Sequence, residues 1–192
     1  MRPTWRLLVM SISSAREIRK PSPYALHALS GRWSVDPQAS HARFLAGTLA
    51  GLVKVPGSFH ELSGDLVVDR AYAAGHLAIE SESIDTGNRM RDGHLRSRAF
   101  FHAKRHRHLR YDVHSIWGRD PACARVDGEL VVAGRRTQFP LDVTLRVPGP
   151  GLLELACHTQ VDRIALGIRG ARAMVPRAVE LDLAITLRPA LT

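Results

Sequence analysis

The sequence predicts an all-β fold, in which an antiparallel sheet of about eight strands closes as a sandwich or as an extended barrel. From Trp33 onward, apolar and polar residues alternate with a period of two, which is typical of half-buried strands. Turn-forming residues separate the alternating segments at 56–58, 117–121, 133–137 and 147–151. Several segments are ten or eleven residues long, which is roughly 35 Å of extended chain and favours a barrel.

The clearest alternation lies in the middle and C-terminal parts of the chain. In chain order, these segments are residues 76–83, 109–117, 121–132, 138–147, 152–161 and 178–188. In the last of them, Leu181 and Leu183 face one side and Glu180 and Asp182 face the other. Together with the segments before residue 76, they predict eight or nine strands between residues 31 and 188.

One stretch, residues 86–101, lacks this alternation. It predicts a single short helix near residues 89–95, with Thr86 as the N-cap and Gly93 as a weak point of about 1 kcal/mol. No internal repeat of fixed period is present, which excludes solenoids and propellers.

Composition predicts one globular domain. The chain has 192 residues, 45% of them hydrophobic, enough for a single core. Residues 1–30 are predicted to be a disordered leader and residues 31–192 the folded domain. The apolar run of residues 7–12 is shorter than the core of a secretory signal. The sequence therefore predicts a cytoplasmic protein; export to the periplasm or cell envelope is the alternative.

The positive charge is concentrated in one segment of the domain. Of a net charge of +9, residues 89–110 contribute eight basic side chains against Asp92 alone, a local charge of +7. Such a segment favours an anionic ligand or transient contact with an anionic surface. A solvated basic face without a ligand role is the alternative.

The two cysteines are predicted to be free thiols. Cys123 lies opposite the apolar face of its strand, whereas Cys157 shares the apolar face of another strand. Side chains on opposite sides of a sheet cannot easily form a disulfide.

Five blocks of sequence resemble the YceI-like family of bacterial polyisoprenoid-binding proteins, in the same order as in that family. They are RWSVDPQASHARF, VPGSFHELSGDLVVD, IDTGNRMRDGHLRSRAFF, VDGELVVAGRRTQFPLDV and VDRIALGI. The resemblance implies an extended, lipocalin-like antiparallel β-barrel around an apolar tunnel. It also implies binding of a long-chain isoprenoid lipid, such as a quinone, polyprenyl or carotenoid-like molecule, without catalysis and without another cofactor. A homodimer is a further expectation.

The sequence departs from the family pattern at four positions. Ala39 and Thr48 stand where the family usually has histidines, and Ala99 and His102 flank Phe100–Phe101 where an aspartate is usual. These departures put headgroup contacts of the family residues in doubt and leave the apolar tunnel unaffected. In the family's architecture, residues 89–110 cover one end of the barrel, so the resemblance implies that their charge lies near a tunnel opening. Arg89, Arg91, Arg105 and Arg107 are therefore candidates for an entrance or headgroup site, which would favour an anionic headgroup or an anionic membrane surface.

Apolar residues of the predicted inner face are the candidate lining of the tunnel. Strand alternation supplies Leu77, Ile79, Tyr111, Val113, Trp117, Phe139, Leu141, Val143, Leu183 and Ile185, and the resemblance to the family adds Phe44, Phe59, Phe100 and Phe101. The sequence leaves open whether each of them contacts a ligand or packs only against its neighbours as core. A lipid tail needs little more than such walls, because each buried CH₂ contributes about 0.8 kcal/mol.

Three other functions were weighed against lipid binding. An enzyme acting on isoprenoid-type substrates would use Asp92 and His94, which must then converge in the cavity. Residues 89–110 are the candidate for a basic interaction module, but no nucleic-acid motif is present and no nucleic-acid partner is expected. His106 and His108 lie among cations, so no metal site is expected either.

Asp162 and Arg163 are predicted to form an ion pair at a strand end.

Overall fold

Strands dominate the computed structural model of the protein, which describes residues 30–48, 52–69, 72–120, 122–171 and 175–190. The strands are β1 (Gly31–Val35), β2 (His41–Thr48), β3 (Val53–Phe59), β4 (Leu62–Asp69), β5 (Tyr72–Glu80), β6 (Ile84–Asp85), β7 (His108–Asp120), β8 (Cys123–Val132), β9 (Arg135–Gln138), β10 (Leu141–Gly149), β11 (Leu152–Asp162) and β12 (Ala178–Pro189). Helix α1 spans Arg89–Arg96, and a 3₁₀ turn spans Ser81–Ser83. Residues 1–29 of the predicted leader lie outside the described residues.

Eight of these strands form a closed antiparallel barrel. Their order around the ring is β1-β4-β5-β7-β8-β10-β11-β12, and pairing of β12 with β1 closes it. Strands β2, β3 and β6 continue the sheet beyond β12, and β9 pairs with β8. The predicted all-β barrel of about eight strands with one short helix is therefore confirmed.

Strand β12 forms a seam in the sheet, because one of its edges pairs with two different strands. Its C-terminal part, residues 187–189, pairs with β1, whereas residues 179–184 pair with β2 on the same edge. Between them, the Ser40 hydroxyl accepts a hydrogen bond from the Thr186 amide at 3.0 Å. Ser40 thereby satisfies a buried backbone donor that neither strand can reach.

The barrel interior is filled by the apolar face of the alternating strands. Buried side chains from β4, β7, β8, β10, β11 and β12 form one continuous core, which includes Leu66, Ile116, Val126, Leu145, Leu153 and Leu187. Helix α1 contributes Leu95, which is partly buried and packs against this core, while its buried residue is Asp92. Helix α1 therefore covers one end of the barrel.

Strand β7 corrects the prediction that Trp117 faces the interior. Val113 pairs with Gly128 and Ser115 with Asp127, so His114 is an extra residue in a β-bulge. The bulge reverses the alternation. Ile116 is 8% exposed and Trp117 is 46% exposed, with its indole N–H donating to the Asp127 carboxylate at 2.9 Å.

Two further local predictions are wrong. The continuous strand over residues 138–147 is interrupted at Phe139–Pro140, between β9 and β10, where proline offers no amide donor to a ladder. The N-cap of α1 is Asn88, whose side chain accepts from the Arg91 amide at 3.1 Å, rather than Thr86.

Cys123 and Cys157 do not form a disulfide, as predicted. Cys157 is buried inside the barrel, and Cys123 alternates with the buried Ala124. Burial raises the pKa of the Cys157 thiol. Within the described ranges, no helix has both the length and the apolarity needed to cross a bilayer.

Candidate functional site

Two cavities lie inside the barrel. The upper cavity, of about 420 Å³, lies at the end that carries α1 and the connection between β11 and β12. The lower cavity, of about 90 Å³, lies further along the barrel. His94 on α1 lines the upper cavity and is exposed to solvent, so this cavity reaches the surface beside the helix.

Most residues predicted to line a tunnel do line one of these cavities. The upper cavity is lined by Phe44, Phe59, Leu77, Ile79, Phe100, Phe101, Tyr111, Phe139, Leu141 and Leu183. Val113, Val143 and Ile185 line the lower cavity. Trp117 lines neither, because of the bulge in β7.

An aromatic wall forms one side of the upper cavity. The Phe44 ring lies against Gly57 on the paired strand, where a Cβ atom would stand 2.2 Å from the ring. Phe59 contacts Phe44 at a centroid distance of 5.8 Å and Phe101 edge-on at 5.9 Å. Glycine at position 57 therefore makes room for the first ring of a continuous wall.

Helix α1 is held over the cavity by hydrogen bonds centred on Thr86. The Thr86 amide and hydroxyl both donate to Oδ1 of the buried Asp92, at 3.0 and 2.6 Å. The Arg91 guanidinium donates to the Thr86 hydroxyl and carbonyl oxygens at 2.7 and 2.8 Å. Arg96 adds a bond to the Ile84 carbonyl. Asp92 thus fixes the loop that leads into the helix.

The enzyme hypothesis required Asp92 and His94 to converge in the cavity. Asp92 is buried against Thr86, whereas the His94 ring lies edge-on to Phe100 at a centroid distance of 5.1 Å. The structure gives no hydrogen bond between these two side chains. Their arrangement fits a structural role for Asp92 and a wall position for His94.

Arg163 is a buried charged residue in the wall of the upper cavity. It is 4% exposed and donates to the carbonyl oxygens of Ile168, Gly170, Val175 and Pro176 at 2.7–2.9 Å. The predicted ion pair with Asp162 is wrong, because the Arg163 guanidinium is committed to these four carbonyl oxygens. Asp162 instead pairs with Arg177 at 2.6 Å.

The four arginines proposed for an entrance or headgroup site occupy different positions. Arg91 lines the upper cavity. Arg89 and Arg105 are exposed, and Arg107 pairs with Glu80 at 3.2 Å. Among the positions that depart from the family pattern, Thr48 lines the cavity and Ala39 is exposed in the turn before β2.

Polar side chains therefore lie at the helix end of an otherwise apolar cavity. The lining residues outside the predicted set include Thr86, Arg163, Leu166, Ile168 and Val175 from loops and Ala46, Val55, Leu130, Thr159, Val161 and Leu181 from strands. For Arg163 to Ile168, the available signal was the VDRIALGI block.

Four residues line both cavities and separate them, namely Leu77, Tyr111, Leu141 and Leu183. The Tyr111 hydroxyl donates to the Phe139 carbonyl at 2.9 Å and lies 3.2 Å from the Val126 carbonyl. Burial raises the pKa of this phenol, with a smaller contribution from Asp127, so the hydroxyl stays protonated as a donor.

The histidine-rich segment does not assemble a metal site. No group of three or more metal-ligating side chains exists within the described part of the chain. The His102 and His106 rings meet edge-on at 5.7 Å, and His108 lies 3.3 Å from Glu80.

Comparisons with known proteins agree with this architecture. A family model described as "YceI-like domain" matches residues 33–187. Among solved structures, BcnA of Burkholderia cenocepacia has a TM-score of 0.71 at 18% identity, over 79% of this chain and 98% of that chain. A polyisoprenoid binding domain from Saccharophagus degradans, implicated in plant cell wall breakdown, has a TM-score of 0.70 at 15% identity, over 82% and 98%.

A third structure, the YceI protein of Campylobacter jejuni, has a TM-score of 0.66 at 18% identity, over 73% of this chain and 88% of that chain. Comparison with curated proteins finds no match. At these identities the structural likeness shows a shared fold.

Proposed function

The chain belongs to the YceI-like family, and from that premise we propose that its barrel binds and carries an isoprenoid lipid, with the apolar tail in the upper cavity. The observation that carries the proposal is a cavity of about 420 Å³ with apolar walls and polar groups at its helix end. The polyisoprenoid binding domain from S. degradans supports the ligand class.

The energetics of tail burial are sufficient for useful affinity. Burial of ten CH₂ groups contributes about 8 kcal/mol, which matches micromolar binding before the cost of association is subtracted. Specific polar contacts are therefore needed only to orient the ligand. Arg91, held by Thr86, and His94 are the residues placed to meet a headgroup.

The proposal includes release of the lipid without chemical change. It is supported by the buried hydrogen bonds between Asp92 and Thr86, which commit the carboxylate to the loop.

Organic extraction and native mass spectrometry of the full-length protein test the proposal. We expect a co-purifying or added prenol to bind one to one and to be recovered with its mass unchanged. Val55→Trp, which fills the upper cavity, should abolish binding. Val147→Trp is the matched control, because Val147 is 60% exposed and lines neither cavity. Absence of any bound prenol, or equal binding by both variants, would reject the proposal.

We also propose that the upper end of the barrel meets anionic membrane surfaces during lipid uptake. The connection of residues 81–107 carries seven basic against three acidic side chains, and Met90 on α1 is 87% exposed beside Arg89. Basic residues near such a surface contribute about 1 kcal/mol each. The cytoplasmic leaflet is anionic, which agrees with the cytoplasmic location expected from the sequence.

A further inference from the structure

We propose that the barrel selects its ligand by tail length, with Leu77, Tyr111, Leu141 and Leu183 as the stop and a tail of three to four isoprene units as the preferred class. The inference rests on the proposed function. It concerns where the cavity ends, whereas the resemblance to the family predicted a long chain.

The stop is built from four sides of the ring. Leu77 lies on β5, Tyr111 on β7, Leu141 on β10 and Leu183 on β12, and all four line both cavities. Leu77 and Tyr111 are direct partners across β5 and β7. A tail that enters beside α1 reaches these side chains at the far end of the upper cavity.

Tyr111 makes the stop rigid. Its hydroxyl donates to the Phe139 carbonyl at 2.9 Å, and its ring lies against Gly128, where a Cβ atom would stand 2.7 Å from Cζ. A ligand that displaced this ring would leave a buried hydroxyl without a partner, which is unfavourable. The glycine lets the ring lie across the barrel, and the hydrogen bond holds it there.

The volume of the upper cavity sets the tail length. A dry cavity of about 150 Å³ holds one benzene, or about 25 Å³ per carbon. At that ratio the upper cavity of about 420 Å³ holds about 17 carbons, between three and four five-carbon units. The lower cavity of about 90 Å³ holds about four carbons, less than one further unit.

Removal of one member of the stop should lengthen the preferred tail. Leu183→Ala deletes three carbons between the cavities and joins them. The space gained holds about one more isoprene unit. Ala46→Leu has the opposite effect, because it adds three carbons to the wall of the upper cavity. Leu153→Ala is the matched control: Leu153 is 1% exposed but lines neither cavity.

The experiment measures affinities of the full-length protein and these variants for prenols of 10, 15, 20 and 25 carbons. For the wild type and Leu153→Ala, we expect affinity to rise at least tenfold per added unit up to 15 or 20 carbons and less than threefold beyond. Leu183→Ala should move this break one unit longer, and Ala46→Leu should move it one unit shorter.

Two results would overturn the inference while leaving the proposed function in place. One is a wild-type affinity that keeps rising tenfold to 25 carbons, and the other is a break that stays the same in both cavity variants. Failure of every prenol to bind would instead reject the proposed function, and this inference with it.

Discussion

Arg163 shows how a single charged side chain can organise a loop beside an apolar cavity. Its guanidinium donates to four carbonyl oxygens between Ile168 and Pro176, so it serves as the template on which the connection between β11 and β12 folds. The planar, forked geometry of arginine suits this role, since several donors are needed in fixed directions.

Substitution of Arg163 by lysine should therefore be strongly destabilising. Lysine keeps the charge but has three donors on a flexible stem, so buried carbonyls lose their partners. We expect a loss of about 2–4 kcal/mol in the free energy of unfolding, measured by urea denaturation. Arg177→Lys is the control, because Arg177 is exposed; its midpoint should not change measurably. Equal effects of the two substitutions would contradict the template role.

Most of the residues that strand alternation predicted for the interior do line a cavity, and Arg163 shows what alternation missed. Leu77, Leu141 and Leu183 lie where their strand patterns placed them, whereas Phe44 was placed by the resemblance to the family. The role of Arg163 depends on a chain segment that returns after the motif, and no periodicity encodes that return. The volume left between facing side chains, and thus the stop at Tyr111, is likewise a property of packing that the sequence pattern does not contain.

At the scale of elements, the bulge in β7 decides that Ile116, and not Trp117, faces the barrel interior. One extra residue at His114 turns Ile116 inward and Trp117 outward. A period-two pattern assumes an unbroken register, and this assumption produced the wrong position for Trp117. The same limit applies to β9 and β10, which the pattern joined across Phe139–Pro140.

The outward position of Trp117 predicts a contrast between two aromatic truncations. Phe44→Ala should weaken binding of geranylgeraniol at least tenfold, because it removes part of the upper cavity wall. Trp117→Ala should leave that affinity within twofold of the wild type. Isothermal titration of each folded variant provides the measurement, and a tenfold loss in Trp117→Ala would show that the bulge is misplaced.

The ion pair between Asp162 and Arg177, beside the turn that follows β11, should make the stability of the protein depend on pH in acid. The hydrogen bond from Arg177 lowers the pKa of Asp162 below its ordinary value of 3.8, with help from the Ala165 and Ile164 amides. The folded state thus favours the carboxylate. Its contribution is present above pH 3.8 and is lost as the pH falls through the lowered pKa.

We therefore expect Asp162→Asn to reduce the fall in urea midpoint between pH 5 and pH 2.5. Asparagine keeps an acceptor oxygen for the Ile164 and Ala165 amides, so the fold at pH 7 should persist. Arg177→Gln should reduce the same slope, since it removes the principal cause of the lowered pKa. A slope unchanged in both variants would show that this turn is not an acid-sensitive site.

For the whole molecule, the basic connection of residues 81–107 lies at one end of the barrel. Arg89, Arg98 and Arg105 are exposed in the connection at the upper end, whereas the turn at 147–151 between β10 and β11, at the opposite end, carries no charged residue. The sequence predicted the charge cluster, and the fold locates it at the end that contains the cavity opening. Such a cluster orients a protein toward an anionic surface.

Vesicle binding tests this orientation. Replacement of Arg89, Arg98 and Arg105 by glutamine should weaken binding to phosphatidylglycerol vesicles at least tenfold at low salt. Binding of the wild type should fall as salt shortens the Debye length to about 3 Å at 1 M. The control replaces Arg32, Arg146 and Arg188 by glutamine, the same charge removed from lower-end strands. Equal losses in the two triple variants would indicate a response to net charge alone.

The seam at β12 also constrains when the protein can fold. This strand is the last of the barrel to be synthesised, yet it supplies one of the two pairing partners of both β1 and β2, which are synthesised first. The Ser40–Thr186 contact spans 146 residues, and topologies with such high contact order fold in milliseconds to seconds. Until the C-terminal strand leaves the ribosome, the nascent chain is an open sheet with an unsealed apolar face. We expect chaperones to encounter it in that interval.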